Sequence, residues 1–450
     1  MIKQAISQFK HMAVASHKAV KQFLAIFLTL IMLLTACKAE NHAPKLANNS
    51  AHSDKQPELK LVATAFPAYD LANTLLFTQI KADSKLEHGQ PNLPFKLSLE
   101  LLSKAGSDPH TFEPSVQTSL SLEQADMLLM VGGELDLQFA RLLKSLSETA
   151  KAHLTVFTLS EHVDLLDQDT ATSIEAQAVQ APIKDVHIWL STKRQITLLK
   201  ALSQQLIAKV QQIYPDYLPA FKTYLTKQLD AWLQHWQALD QAYTDCFQTA
   251  SKRTLVFADR FPLRYLCHDY NLEAKAAFNS CSHQLDPNLQ TLTNLHDFVS
   301  QNDIRLVFYT EFGQAKLAQV LTDSTAEITA TQAEAYLKTL SKHNVQRSQT
   351  ELARESSIEL GRESKASTET GTVESEPETS VEEKRDEVPA ASTEPKKLAK
   401  RYIALFRTGH TVSQVELENS FTLFELLKSN LALLDLATHD YVLKRGALDA

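Results

Sequence analysis

Two short runs of this sequence hold a histidine in a setting suited to binding. Asp108-Pro109-His110-Thr111-Phe112-Glu113-Pro114 and Asp185-Val186-His187-Ile188-Trp189-Leu190 each place an imidazole among stiff or bulky neighbours. Pro109 keeps Asp108 extended, which fixes the approach of the chain to His110. A neutral imidazole is the commonest protein ligand for zinc-like ions, and a partner on its other nitrogen sets its tautomer. Taken alone, each of these histidines is of the kind that serves as a hydrogen-bonded loop residue. Glu311 adds a carboxylate just after a strand, at the carboxyl end of a sheet, where α/β sites collect. His283, with Cys281 close by, lies in the loop before a helix that opens at Pro287. Plainer roles stand beside these: a helix-start residue for Glu311 and an exposed side chain for His283. His268 and His296 fall on helix faces and are read as solvated.

What the chain lacks narrows the chemistry. Its nine glycines include no two that lie two residues apart, so there is no GxGxxG dinucleotide loop. No pair fits a P-loop and no GxSxG elbow exists. No two histidines are four apart, which excludes the HExxH helix of zinc hydrolases. These absences move the reading from catalysis towards binding. A net charge of −8 argues against nucleic acid as a partner.

The elements that must position the histidines alternate between strand and helix. Strands are expected at Leu59–Phe66, Lys96–Leu102, Asp126–Val131 and Leu154–Leu159, with helices at Asp70–Phe77, Ser115–Gln124 and Asp136–Ala150. This alternation implies a parallel sheet with helices on both faces. From Lys193 to Cys246 the apolar residues keep helical spacing. Pro215 interrupts this stretch, which predicts one helix to Tyr214 and a long second one over Pro219–Cys246, with Leu225, Leu229, Trp232, Trp236 and Leu239 as its core stripe. Alternation then resumes with strands at Thr254–Phe257, Ala274–Phe278, Arg305–Tyr309 and Tyr402–Arg407. The accompanying helices are expected at Phe261–Tyr270, Pro287–Gln301, Gln314–Thr322 and Ser420–Leu436. The 450-residue chain is too long for one typical domain and, at 44% hydrophobic content, is able to build two cores.

The chain's two polar regions read differently. At the start, Lys3, Lys10, Lys18 and Lys21 precede an apolar run over Phe23–Leu34, too short to span a bilayer and of signal-peptide length. It ends in Leu34-Thr35-Ala36-Cys37, similar to a bacterial lipobox, which makes Cys37 the lipidation residue. Lys38–Pro57 is a polar tether. Gln346–Lys397 has no aromatic residue and no histidine, and carries 8 basic against 13 acidic residues. It is expected to be a disordered acidic insertion, because it has too little apolar surface to offset its ordering entropy. Cys246, Cys267 and Cys281 leave room for one disulfide and one thiol, with the pairing open.

Together the motifs resemble the cluster A-I metal-binding proteins of ABC transporters, the zinc and manganese binders related to the periplasmic zinc-uptake protein. The family's opening signature is matched by Phe66-Pro67-Ala68-Tyr69-Asp70-Leu71-Ala72, and its DPHTFEP motif residue for residue at Asp108–Pro114. Ala125-Asp126-Met127-Leu128-Leu129 fits another family run. DPHIWL is matched at Asp185–Leu190, with Val186 in place of proline. The resemblance covers Leu59–Val345 and Lys400–Leu434. It implies two α/β lobes, each with a parallel sheet flanked by helices and joined by one long rigid helix, with metal bound between them. On that footing the chain divides into a signal peptide (1–36), an anchored tether (37–57), a first lobe (58–214), a linking helix (215–248) and a second lobe (249–345 and 398–450) interrupted by the insertion (346–397).

His110 and His187 then take ligand roles. The second lobe departs from the pattern. Ala258 stands where the family has its third ligand, and alanine cannot ligate. The run from Phe257 to Ser282 instead resembles a less studied branch of the family. In the later Gly409-His410-Thr411-Val412-Ser413, His410 takes the place of the family's usual aspartate. Glu311 is the first choice for the remaining ligand, ahead of Asp259 and His283, with Arg260 or Arg264 as the plainer partner for Asp259. Three imidazoles and at most one carboxylate favour zinc over manganese. The partners implied are a divalent metal ion, an ABC permease with its ATPase, and a membrane reached through the lipid anchor. A monomeric, extracytoplasmic, non-enzymatic protein is expected, periplasmic or at the cell surface. Two other readings use the same features: a zinc hydrolase with Glu311 as general base, and a surface adhesin.

Overall fold

Strand β1 (Glu58–Ala63) has buried side chains on both faces, the pattern of a strand covered from both sides. It pairs in parallel with β4 (Lys96–Leu101) on one side and β5 (Met127–Met130) on the other, and β6 (Thr155–Thr158) completes a sheet of order β4-β1-β5-β6. A second parallel sheet of order β10-β9-β7-β8 is built from β7 (Thr254–Arg260), β8 (Glu273–Phe278), β9 (Leu306–Thr310) and β10 (Tyr402–Phe406). These strands come from a computed structural model describing residues 56–81, 85–168, 184–278, 289–341 and 401–441. The leader, Cys37, the tether up to Lys55, Cys281, His283 and the acidic stretch all lie outside the described residues. Among the described residues no helix is long and apolar enough to cross a membrane.

The helices cover both sheets, as the alternation requires. Helix α1 (Phe66–Leu76) starts with Pro67 in its first turn, where a missing N–H costs nothing. It buries ten of its eleven residues, Asp70 included. The Asp70 carboxylate accepts the backbone N–H of Leu423 at 3.1 Å. Next come α2 (Val116–Gln124), α3 (Phe139–Ser145), α4 (Glu148–His153) and α5 (Thr192–Ile213). Helix α6 (Leu218–Gln248) is the longest, with Phe221, Leu225, Trp232, Trp236, Leu239, Tyr243 and Phe247 on its buried face. Its first half bonds to the first sheet's side of the molecule: Tyr224 Oη donates to Leu76 O at 2.7 Å and Trp232 Nε1 to Thr78 O at 3.0 Å. Near its end Tyr243 Oη donates to Leu427 O at 2.7 Å, in the last helix of the second half. The remaining named helices are α7 (Arg264–Tyr270), α8 (Leu289–Gln301), α9 (Ala315–Thr322), α10 (Gln414–Glu418) and α11 (Leu423–Thr438). One continuous apolar cluster runs from β1 and α1 through α6 to α11.

Several local expectations change, beginning with β1, which ends at Ala63 rather than Phe66 because α1 starts at Phe66 rather than Asp70. The helix expected over Asp136–Ala150 is two helices, α3 and α4, because Ser147 turns out of the helix and caps α4 by accepting from the Ala150 N–H. Its own N–H and hydroxyl bind Glu123 at 2.8 and 2.6 Å. Strand β7 runs on to Arg260, with irregular pairing to β8 between Phe257 and Arg260, so α7 begins at Arg264 rather than Phe261. Two short strands, β2 (Thr78–Ile80) and β3 (Leu86–His88), form an antiparallel pair where no element was expected. Cys246 and Cys267 are both free thiols, so neither is in a disulfide.

Candidate metal centre

All three clustered histidines lie in loops beyond strand ends, and each follows an oxygen-bearing residue at a spacing of two: Asp108-x-His110, Asp185-x-His187 and Thr408-x-His410. That spacing lets the earlier side chain turn back on the histidine. Asp108 caps the short turn Pro109–Thr111, accepting the His110 N–H at 3.0 Å. Asp185 Oδ1 accepts both the backbone N–H of His187 at 2.8 Å and its Nδ1–H at 2.9 Å. His410 follows Gly409, whose φ of +68° suits glycine; a Cβ there would sit 2.5 Å from Leu423. The His410 Nδ1 bonds to Thr408 Oγ1, and Thr408 in turn donates its hydroxyl and backbone N–H to Glu311 at 2.6 and 2.8 Å.

The hydrogen-bond network assigns the tautomers. With Nδ1–H directed to Asp185 in one ring and to Thr408 in the other, both Nε2 atoms carry lone pairs. These two atoms face each other at 2.9 Å. His110 Nε2 is buried nearby with no hydrogen-bond partner, and one nitrogen from each ring lies within 4.8 Å of the others. Three electron-pair donors converging in a buried space repel unless a cation sits among them. Protons are poorly suited to that role. Burial, then the neighbouring His187, push His110 down to about 4, and the same causes hold His410 well below the usual imidazole range. Burial pushes Asp185 up, but His187 and Arg264 outweigh it and leave the carboxyl below its ordinary value, ionised against the ring. Three imidazoles, at least one backed by a carboxylate, make a donor set suited to zinc-like ions.

The walls come from both halves. The Trp189 ring lies 5.1 Å from the rings of both His187 and His410. Its Nε1 donates to Thr408 O at 2.8 Å. The Gly106 N–H bonds to Val412 O at 2.8 Å and Thr411 Oγ1 at 2.9 Å. Arg260 pairs with Asp108 at 3.4 Å, and Tyr265 Oη donates to Asp185 O at 2.5 Å. Apart from the Trp189–His187 packing, each of these contacts joins a loop of the first half to a residue of the second.

The structure therefore brings together His110, His187 and His410. Glu311 stands behind His410, its carboxylate taken by Thr408, and its burial raises its pKa. Asp259 Oδ2 accepts from Thr310 N and Oγ1 at 2.8 and 3.1 Å, under Gly313, whose missing Cβ would overlap it. Burial, partly offset by Thr310, pushes Asp259 up to about 6. Sequence reasoning missed Thr408 and the Trp189 wall. The repeated spacing of two was the signal for Thr408.

Comparison with known proteins bears on the family and the fold. The family model for the zinc-uptake complex component A, periplasmic (ZnuA), matches residues 95–351. A zinc-binding lipoprotein, AdcA, from Streptococcus pneumoniae is 25% identical over 269 residues, 59% of this chain and 47% of that protein. The chain thus spans about half the length of that curated relative. A high-affinity zinc uptake system protein, ZnuA, from Bacillus subtilis is 20% identical over 304 residues, 67% of this chain and 85% of that one. The fold is similar to the Zn(II)-bound ZnuA-like domain of the S. pneumoniae AdcA, with a TM-score of 0.52 at 17% identity, covering 85% of this chain and all of that domain.

Proposed function

As the chain belongs to the family of the periplasmic zinc-uptake component A, we propose that it captures zinc outside the cytoplasmic membrane and delivers it to an ABC permease. One observation carries this reading: three imidazoles converge within 4.8 Å, with two Nε2 atoms facing at 2.9 Å. His110, His187 and His410 are the ligands, and a water completes a tetrahedral shell. Asp185 orients His187, and Glu311 orients His410 through Thr408. Cys37 supplies the lipid anchor, and the lobes are bounded as the sequence suggests, 58–214 and 249–345 with 398–450, about the helix over 215–248. A hydrolytic zinc centre is the weaker reading, because the carboxylate it would use as base, Glu311, is committed to Thr408.

Zinc titration of the purified chain, followed by metal analysis, tests the proposal. The wild type is expected to retain zinc at the histidine site, and His110→Ala/His187→Ala to lose that equivalent. Equal zinc retention by the two proteins would refute the assignment.

A further inference from the structure

A second group of metal-ligating side chains lies where α6 and α11 end together. Cys246 is in the last turn of α6, while Asp435 and His439 stand four residues apart at the end of α11, on one helix face. One ligand atom from each lies within 4.8 Å of the others, and all three residues are half-buried. None belongs to the histidine centre.

The surroundings favour a cation. Both helices present their carboxyl ends here, where the backbone dipoles leave negative potential. Asp435 Oδ1 accepts from Tyr441 Oη at 2.8 Å and lies 2.8 Å from His439 Nδ1. The His439 ring stacks on Tyr441, with centroids 5.5 Å apart, and its Nε2 meets Thr249 Oγ1, the C-cap residue of α6, at 3.1 Å. The backbone is tied at the same place: Lys252 N–H and Ser251 Oγ both donate to Thr438 O, at 2.9 and 3.2 Å. Cys, His and Asp already preorganised on tied helix ends therefore form three corners of a coordination shell.

We propose that Cys246, Asp435 and His439 bind a second divalent ion of the zinc class, one that cross-links the ends of α6 and α11. Sulfur, nitrogen and oxygen donors from three residues suit zinc or cobalt, with solvent as fourth ligand. On binding, the Cys246 S–H bond breaks, sulfur keeps the electron pair that it donates to the metal, and the proton leaves to solvent. The inference is independent of the zinc-delivery reading, since it shares no residue with that site.

Cobalt(II) is the probe, because a thiolate ligand adds a near-ultraviolet sulfur-to-cobalt charge-transfer band that an all-histidine site lacks. Titration of the full chain is expected to show this band, and His110→Ala/His187→Ala is expected to retain it. Cys246→Ser should abolish it and remove one equivalent of bound cobalt. His439→Gln, with folding checked by far-ultraviolet circular dichroism, should do the same and covers the case in which the cysteine variant folds poorly. Absence of the band in the wild type would overturn the proposal, as would its survival in Cys246→Ser or its loss in the His110/His187 variant.

Discussion

Thr408 controls His410 without touching the space among the rings. Its hydroxyl accepts from the imidazole and donates to Glu311, so one residue fixes both the ring's orientation and its tautomer. Such supporting groups are typically worth about 10–100-fold in metal affinity. Thr408→Val keeps the shape and removes the relay, so zinc affinity measured against a competing chelator should fall by roughly that factor while the stoichiometry stays unchanged. Glu311→Gln should weaken binding less, because an amide oxygen still accepts from the Thr408 N–H. At this scale the sequence revealed residue types better than directions. The DPHTFEP and HIWL runs mark His110 and His187, and Glu311 stands after β9 where a site residue was expected. Which way its carboxylate turns depends on β10 lying beside β9, a pairing across the 91 residues between Thr310 and Tyr402 that no local pattern encodes.

The helices and long strands were legible because their apolar periodicity is sustained. Helix α6 shows this best: the expected stripe contains Leu225, Trp232, Trp236 and Leu239, and all four are buried. Leu229, the fifth member, is only partly buried against the core. Trp232→Ala should cost about 3–5 kcal/mol, the usual range for emptying an aromatic core site, and it also strands Thr78 O, which the indole N–H now satisfies. Urea unfolding of the variant measures this. Elements decided by a single hydrogen bond were not legible. The break between α3 and α4 depends on Ser147 meeting Glu123 from α2, and β2 with β3 is only three residues long on each side. Strand β7 outruns its β-rich stretch through Ala258, Asp259 and Arg260 because β8 pairs again at Arg260.

At the scale of the molecule, Asp70 joins α1 to the start of α11. Burial, helped by Glu425 and opposed by the Leu423 N–H and Thr74, pushes its carboxyl up from 3.8 to about 7. The folded protein therefore holds a proton that the unfolded chain has released between those values. The resulting stability is fully present below about pH 4, is lost as pH rises towards 7, and changes little above that. Asp70→Asn should remove this share of the slope, seen as a smaller difference between urea midpoints at pH 5 and pH 8. The contacts across the metal centre lead to a different consequence. Gly106 with Val412 and Trp189 with Thr408 use backbone acceptors on the His410 loop, so on the proposed reading an ion held by His110, His187 and His410 would sit beside a seam tied by those bonds. Residence time would then depend on how often the seam opens as well as on the bonds to the ion. A permease that pries apart the Trp189–Thr408 contact would accelerate release without altering a single ligand.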